Sequence, residues 1–459
     1  MSAINRKTQL QTLNRPSNAR RSLLAYKAAG CRHCADPISP CESLMNLPLL
    51  ADSLPDAAES ITESAGMIDS PIGVLTALAG VSAVFFWLEK RAFQRFFQYA
   101  PPLIFIYLIP VIAAQTGLLT TESPVYGVIG DIVLPMMLVL LLVNVDVRGA
   151  VRVLGPGVAV MLIGTLGVMI GAPIGFLLVK SWLGPDAWKA FGTLAGSWIG
   201  GTGNMAAISK MIEADGAAVG LAVIGDSTIY LAWLPLLLAS KNYADRFARF
   251  SGVAPDRLDQ MKAAAELQAS QRVAPKSADY LALLALAFAA AWIAEAVSAP
   301  LAAGVESHLP EQLKVVLSAS TINVLLITTI GLALSFTPAR QLPGSHELGM
   351  ALVYLFVARM GAMTKLDNVG QTLPFLAGAS VWIAIHGAFC LLGAKLLKVD
   401  IHTAAIASAA NIGGPASASI VAMHHEESLV PAAVLMGLLG YAVGNFAGYG
   451  TALLCWWVS

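Results

Sequence analysis

Two short segments of this chain combine a Gly-Gly step with small hydroxyl and amide side chains inside long apolar stretches. The first Gly-Gly segment is residues 196–204 (GSWIGGTGN), and the second is residues 409–417 (AANIGGPAS). Hydrocarbon contains no water to satisfy a loosened backbone, so such a break is tolerated only where protein or a wet cavity surrounds it. Matching interruptions in two halves of a membrane protein indicate the binding site of a transporter.

Both segments offer neutral ligands and freed backbone groups to a solute or an ion. At the tip of a hairpin, amide N–H groups would favour an anion, whereas carbonyl groups would favour a cation. The alternative role of these small residues is tight packing between helices. The substrate- and ion-binding residues predicted in the two segments are Ser197, Gly200, Gly201, Thr202, Gly203, Asn204, Asn411, Gly413, Gly414 and Ser417.

One acidic residue lies well inside an apolar run. Asp226 stands within residues 216–240, where a carboxylate is costly and therefore indicates a functional group. It could ligate Na⁺ or carry a proton, while a structural hydrogen bond to a neighbouring helix is the alternative. Asn445 in the last apolar run is its nearest polar counterpart. We therefore include both residues in the predicted site and expect the two halves to differ in charge there.

The composition is that of a polytopic membrane protein. Its 459 residues are 57% hydrophobic and 12% charged, and the mean hydropathy is +0.70, whereas soluble domains carry about 25% charged residues. The formal charge of zero gives no sign of nucleic-acid binding. The expected partners are the lipid bilayer, a small solute and, as a candidate homodimer, a second copy of the chain.

The sequence lacks the motifs of soluble catalysis. It contains no HExxH, GxSxG or Walker A pattern, so we predict that the protein is not an enzyme. We predict no resident cofactor and no metal site, with Na⁺ as a candidate coupling ion only.

Apolar runs of membrane-spanning length divide the chain into two repeats. We predict an all-α integral membrane protein in which residues 67–240 and 279–459 each form about five transmembrane helices plus one Gly-rich re-entrant or broken helix. Residues 241–278 would form a cytoplasmic linker, and residues 1–66 a disordered or targeting extension. Similar residues recur in the two halves at a spacing of about 213–216, which indicates an internal duplication.

The distribution of Lys and Arg predicts the topology. If each Gly-Gly segment enters and leaves the membrane on one side, most loop Lys and Arg residues fall on a single face, which is then cytoplasmic. Five crossings per half make the second half run upside down relative to the first, as an inverted repeat. The extension of residues 1–66, whose beginning is rich in Lys and Arg, would then lie outside. This contradicts the rule that basic segments stay in the cytoplasm, unless the extension is absent from the mature protein.

The first 35 residues bear on the location of the protein. They contain seven Lys or Arg and no Asp or Glu, a pattern that suits an organellar transit peptide. A start codon assigned too early would look similar, with Met67 as the true start. We predict a bacterial inner (plasma) membrane, with a plastid or other organelle envelope as the alternative.

A resemblance to a known family is carried by residues 86–91 (FWLEKR), residues 101–104 (PPLI) and the two Gly-Gly segments. Through them this chain resembles the domain of unknown function 819 (DUF819) membrane family. More distantly, the paired segments are similar to the hairpins of sodium-coupled citrate and glutamate carriers and of the cation–proton antiporter and bile-acid carrier fold. This resemblance implies a scaffold and a moving transport part that carries the hairpins. It also implies a substrate–ion site at Gly200, Gly201, Asn204, Asn411, Gly413 and Gly414.

These observations favour a secondary active transporter of a small solute. The solute could be an organic anion, coupling would be to Na⁺ or H⁺, and alternating access would occur around the two Gly-Gly hairpins. A cation/proton antiporter, with Asp226 as the titrating group, is an alternative within transport. A non-transporting receptor or assembly protein built on a transporter fold is the alternative from another class.

Overall fold

The computed structural model describes residues 66–91, 97, 102–254, 274–308, 318–364 and 369–459. Helices are the regular elements of this part of the chain, and one isolated bridge joins Ile68 to Leu119. Residues 1–65 of the predicted extension and residues 255–273 of the predicted linker lie outside the described residues. The all-α prediction is therefore confirmed for the described part of the chain.

The first half of the chain forms nine helices in the described ranges. They are α1 (Pro71–Arg91), α2 (Pro102–Gln115), α3 (Pro124–Val143), α4 (Val147–Leu154), α5 (Pro156–Val179), α6 (Ala187–Gly200), α7 (Thr202–Met211), α8 (Gly216–Ala239) and α9 (Ala244–Ser251). Four of them begin with proline, whose fixed φ suits the first turn and whose missing N–H would have no helical partner there.

The second half forms longer helices. They are α10 (Ser277–His308), α11 (Ala319–Leu334), α12 (Ser345–Ala362), α13 (Thr372–Leu396), α14 (Ile401–His425) and α15 (Val430–Trp457). Carboxylate caps start two helices in corresponding places. Asp215 accepts a hydrogen bond from the Ala218 amide ahead of α8, and Asp400 accepts one from the Thr403 amide ahead of α14.

Eight helical segments in the described residues are long and apolar enough to cross a membrane. They contain α1, α3, α5, α8, α10, α13, α14 and α15, although α14 reaches this length only as two arms that fold back on each other, as described below. Large apolar side chains on their outer faces are exposed, among them Trp87 at 60% and Trp292 at 69%. A lipid bilayer would cover such side chains, and the protein is an α-helical, multi-pass membrane protein.

The helices α6 and α7 are the antiparallel arms of one hairpin, which we call hairpin 1. A methyl group added to Gly196 in α6 would lie 2.9 Å from Ile208 Cγ1 in α7. At the open end, Lys189 Nζ donates a hydrogen bond to the Glu213 carbonyl at 3.2 Å. The chain reverses at Gly201, whose φ of +90° disfavours any residue with a side chain.

The helix α14 also folds back on itself, and we call its two arms hairpin 2. Its reversal is at Gly414, where φ is +65° and ψ is −153°, immediately before Pro415. The Nδ1 atoms of His402 and His425 are only 3.1 Å apart, although 23 residues separate them. In a straight helix these residues would be about 35 Å apart. The beginning and the end of α14 therefore lie side by side.

Contacts between distant loops define two ends of the helix bundle. At the first end, hydrogen bonds join Lys180 to Val458, Gly184 to Gln371 and Thr321 to Met211. At the second end, contacts join Asp146 to Arg340, Lys241 to His424 and Phe250 to Lys395. The 24 residues of α8, about 36 Å in length, run from the first end to the second. The base of hairpin 1 lies at the first end and the base of hairpin 2 at the second.

One face of α15 receives both hairpins. Gly437, Gly440, Gly444 and Gly448 recur along it at helical spacing. A methyl group added to Gly440 would lie 3.0 Å from the Ile199 carbonyl oxygen of hairpin 1 and 3.4 Å from the Ala410 carbonyl oxygen of hairpin 2. Small residues at such spacing let helix backbones approach closely inside membranes.

We expect the substitution Gly437→Ala to destabilise the protein. The added methyl group would lie 2.5 Å from Pro415 Cα, which is backbone and has no alternative rotamer. Overpacking of this kind costs about 1–3 kcal/mol, so the apparent melting temperature in detergent should fall. The matched control is Gly80→Ala in α1, where nothing lies within 4 Å of the new methyl group. Equal melting temperatures for the two variants would contradict the packing described for α15.

We expect cysteines placed at His402 and His425 to be joined by a short bifunctional thiol cross-linker, because their side chains touch. The experiment uses a variant without the native cysteines and follows the loss of thiols available to a maleimide. In the control pair, His402→Cys is combined with Ser417→Cys, which lies beyond the reversal of the chain. Failure of the His402/His425 pair to cross-link, with both thiols still reactive towards the maleimide, would mean that α14 does not fold back.

Candidate functional site

The tips of the two hairpins meet in the interior of the protein. A methyl group added to Gly414 would lie 3.5 Å from the Gly200 carbonyl oxygen, and one added to Gly201 would lie 3.7 Å from the Gly414 amide nitrogen. At each tip the C-terminus of one helical arm lies beside the N-terminus of the next. Helix ends of opposite polarity are therefore placed next to each other at the centre.

A cavity of about 250 Å³, which we call the tip cavity, adjoins both hairpin tips. Helices α1, α2, α8, α12 and α15 complete its wall. It extends towards the second end of the bundle, because His346 at the start of α12 lines it. The polar residues that line it are Glu89, Ser197, Thr202, Asp226, Ser227, Tyr230, His346, Tyr354, Ser417 and Tyr441.

Asp226 is held at the tip cavity by hairpin 1. Its Oδ2 accepts a hydrogen bond from Ser197 Oγ at 2.9 Å, and its Oδ1 accepts one from Trp198 Nε1 at 2.9 Å. The Trp198 ring is fully buried and lies 4.4 Å, centroid to centroid, from the ring of Trp382. The carboxylate is thus oriented by a rigid support, while its remaining lone pairs can accept hydrogen bonds from a bound group.

The tip cavity brings together many of the residues predicted from the sequence. Those that line it are Ser197, Gly201, Thr202, Gly203, Asp226, Gly413 and Ser417. The other predicted residues are not among its lining residues: Gly200, Asn204, Asn411, Gly414 and Asn445. Gly200 and Gly414 lie at the contact between the tips, and the three amides lie further away from the cavity.

The two amides of the Gly-Gly segments attach the hairpins to neighbouring helices. Asn204 Nδ2 donates to the Tyr441 carbonyl of α15 at 3.2 Å. Asn411 Nδ2 donates to the Met161 carbonyl of α5 at 2.9 Å, while its Oδ1 accepts a hydrogen bond from Thr165 Oγ1 at 3.2 Å. Both side chains are buried, so each holds one hairpin in place from behind.

Asn445 makes a comparable link elsewhere. Its Nδ2 donates to Thr328 Oγ1 of α11 at 2.8 Å, and the residue is fully buried. It therefore joins α15 to α11 and does not reach the tip cavity in this structure.

A buried histidine makes a further network on the outer side of hairpin 2. His386 Nδ1 lies 2.9 Å from the Gly164 carbonyl oxygen, so this nitrogen carries the hydrogen. Its Nε2 then accepts from Ser408 Oγ at 2.9 Å, and Ser408 in turn accepts from Trp233 Nε1 at 3.0 Å. These four residues come from four helices, and their hydrogen bonds link hairpin 2 to α5, α8 and α13.

Several lining residues of the tip cavity were missed by sequence reasoning. They are Glu89, Ser227, Tyr230, His346, Tyr354 and Tyr441. One signal for Tyr230 was present, because it follows Asp226 by four residues and so shares its face of α8. Glu89 and the residues of α12 and α15 gave no such signal, since only folding brings these helices to the hairpin tips.

A second cavity of about 320 Å³ opens at the first end of the bundle. Two basic residues, Lys210 and Arg359, line it. Lys210 Nζ forms a salt bridge with Asp131 at 2.8 Å, and Arg359 Nε donates a hydrogen bond to the Tyr126 carbonyl at 2.6 Å. The N-terminal residues of α7 line the tip cavity, while Lys210 near its C-terminus lines this second cavity. The arm α7 of hairpin 1 therefore extends from one cavity to the other.

Known proteins resemble this chain over both hairpins. Residues 76–456 match the family described as "Protein of unknown function (DUF819)". The chain is 29% identical over 345 residues to "Uncharacterized membrane protein YjcL" of Bacillus subtilis (strain 168). The aligned region covers 74% of this chain and 85% of that relative. The family match includes both Gly-Gly segments and all the residues that line the tip cavity. The chain thus belongs to the DUF819 family of membrane proteins, as its sequence predicted.

Proposed function

We propose that this protein is a secondary active transporter, and not an enzyme, that moves a small solute by alternating access. The observation that carries the proposal is the meeting of two hairpin tips beside a cavity that holds Asp226. Interrupted helices whose ends face a central polar site are the arrangement by which many carriers bind substrate and coupling ion. Coupling to Na⁺ or H⁺ would use Asp226, the carboxylate held by hairpin 1.

In this proposal both hairpins are re-entrant and enter the bilayer from opposite faces. The support is that the base of hairpin 1 lies at the first end of the bundle and that of hairpin 2 at the second. The length of α8, about 36 Å, is enough to cross a hydrocarbon core of about 30 Å. Gly201 and Gly414 reverse the chain in equivalent places, which supports two inverted repeats.

Alternating access would move the hairpins against a scaffold. The helices α5, α8, α13 and α15 pack around the hairpins, whereas α10, α11 and α12 pack with α3. The tip cavity lies where these two groups face each other, since residues of the hairpins and of α12 both line it. It extends towards the second end, which the loop charges predict to be cytoplasmic, so we infer that this arrangement is the inward-facing one.

We place the protein in a bacterial plasma membrane, as a candidate homodimer. The relative in Bacillus subtilis supports a bacterial membrane location. In a dimer the scaffold helices of two chains would stay fixed in the bilayer while each transport part moves.

A cation/proton antiporter is the second candidate function. Two carboxylates, Asp226 and Glu89, line the tip cavity, and no Lys or Arg does so among the described residues. A site of this charge could exchange a cation for protons on Asp226. Transport of a cation against a proton gradient, with no second solute, would distinguish the antiporter from a solute carrier.

We expect purified protein in proteoliposomes to accumulate at least one solute from a panel of amines, amino acids and carboxylates when a Na⁺ or proton gradient is imposed. Asp226→Asn should reduce this uptake at least about tenfold, because it removes the charge on which coupling depends. Asp245→Asn, the same change at an exposed position of α9, is the control and should retain uptake. Absence of gradient-driven uptake across the whole panel would favour a receptor or assembly protein.

We expect single cysteines at the bases of the two hairpins to be accessible from opposite sides of the membrane. Asp186→Cys, before hairpin 1, should react with a membrane-impermeant maleimide on intact cells. His424→Cys, at the end of hairpin 2, should react only after the membrane is permeabilised. Both positions are exposed, so protein burial does not prevent labelling. Labelling of both from the same side would rule out the inverted arrangement.

A further inference from the structure

We propose that the solute of the tip cavity is a small organic cation of the ammonium class and not an organic anion. This inference rests on the proposed transport function, which it makes more specific. It follows from the charge, the aromatic surface and the size of the cavity.

The side chains of the tip cavity supply negative charge. Asp226 of α8 lies beside hairpin 1 and Glu89 near the end of α1, whereas no Lys or Arg lines the cavity within the described ranges. An anion placed there would meet two carboxylates and no lining Lys or Arg among the described residues, and at Asp226 the repulsion would act in a region of low dielectric constant. Two basic residues, Lys210 and Arg359, line the second cavity, at the first end of the bundle.

The helix ends do not reverse this charge. Each hairpin tip presents a helix C-terminus and a helix N-terminus together, so their opposite partial charges largely cancel. At hairpin 2 the arm after Gly414 begins with Pro415, which has no N–H to donate to an anion. The sign of the preferred ligand is therefore set by the carboxylates.

Aromatic rings surround the negatively charged groups. Phe86, Tyr230, Tyr354 and Tyr441 line the cavity, and the rings of Phe86 and Tyr354 contact each other with centroids 4.5 Å apart. The faces of such rings attract ammonium groups, and aromatic cages are a recurrent way to bind quaternary ammonium ligands. A purely inorganic cation would need oxygen ligands and would gain less from these rings.

The position of Asp226 is fixed before any ligand binds. Trp198 Nε1 can only donate, so Oδ1 of Asp226 accepts its hydrogen, and Ser197 occupies one site on Oδ2. This support preorganises the carboxylate for a cation. The cavity volume of about 250 Å³ is below the roughly 300–1,000 Å³ of sites for drug-sized ligands, which restricts the solute to a small molecule.

The test uses three probes of similar size and different charge on the purified full-length protein: tetramethylammonium, tert-butanol and pivalate. We expect tetramethylammonium to raise the apparent melting temperature and to bind at least about tenfold more tightly than the other two. Asp226→Asn should abolish this preference without loss of fold, because an Asn side chain can still accept from Trp198 and donate to Ser197. Glu89→Gln should weaken binding, and Asp245→Asn should leave it unchanged.

Each other outcome overturns the inference in a recognisable way. Stabilisation by pivalate and not by tetramethylammonium would assign the cavity to an anion, while gradient-driven uptake of carboxylates would leave the transport proposal intact. Equal effects of the three probes would mean that charge does not select the ligand. Stabilisation by Na⁺ and by none of the three probes would assign Asp226 to ion coupling only. If no probe binds and no solute is taken up under either gradient, the proposed transport function fails as well.

Discussion

The close approach of the two hairpin tips is the constraint on which the rest of the structure depends. Two reversals of the chain, at Gly201 and Gly414, require a backbone conformation that side chains disfavour. The glycine face of α15 then lets both hairpins lie against one helix without intervening side chains. Only because the tips are this close can groups from both halves of the chain line a single small cavity.

A reversal of the chain inside an apolar environment leaves backbone groups that water cannot satisfy. The side-chain amides of the Gly-Gly segments hold the reversed chain against protein, since Asn204 and Asn411 donate to carbonyls of α15 and α5. The network of His386 and Ser408 does the same on the outer side of hairpin 2. The most polar side chains of the two segments thus stabilise the hairpins, while smaller hydroxyl groups and Asp226 face the cavity.

The two cavities differ in their chemistry. The tip cavity combines carboxylates with aromatic rings and has no lining Lys or Arg among the described residues, whereas Lys210 and Arg359 line the cavity at the first end together with Glu213. Hairpin 1 contributes to both, and its tip holds Asp226 through Ser197 and Trp198. A movement of this hairpin would therefore change the support of the carboxylate and the access to both cavities together. Such coupling between a charge and a moving element is what a carrier needs.

The sequence by itself determined the membrane class, the all-α fold, the two interruptions and the unusual depth of Asp226. These features depend on local properties: the hydropathy of a run, the freedom of glycine, and the cost of a carboxylate among apolar residues. Only the tertiary structure decided that Glu89, Tyr354 and Tyr441 share one cavity and that Asn411 faces α5. The physical reason is that membrane helices are apolar on all sides, so no polar stripe marks the inward face. Their rotation and neighbours are set by packing between segments far apart in the chain.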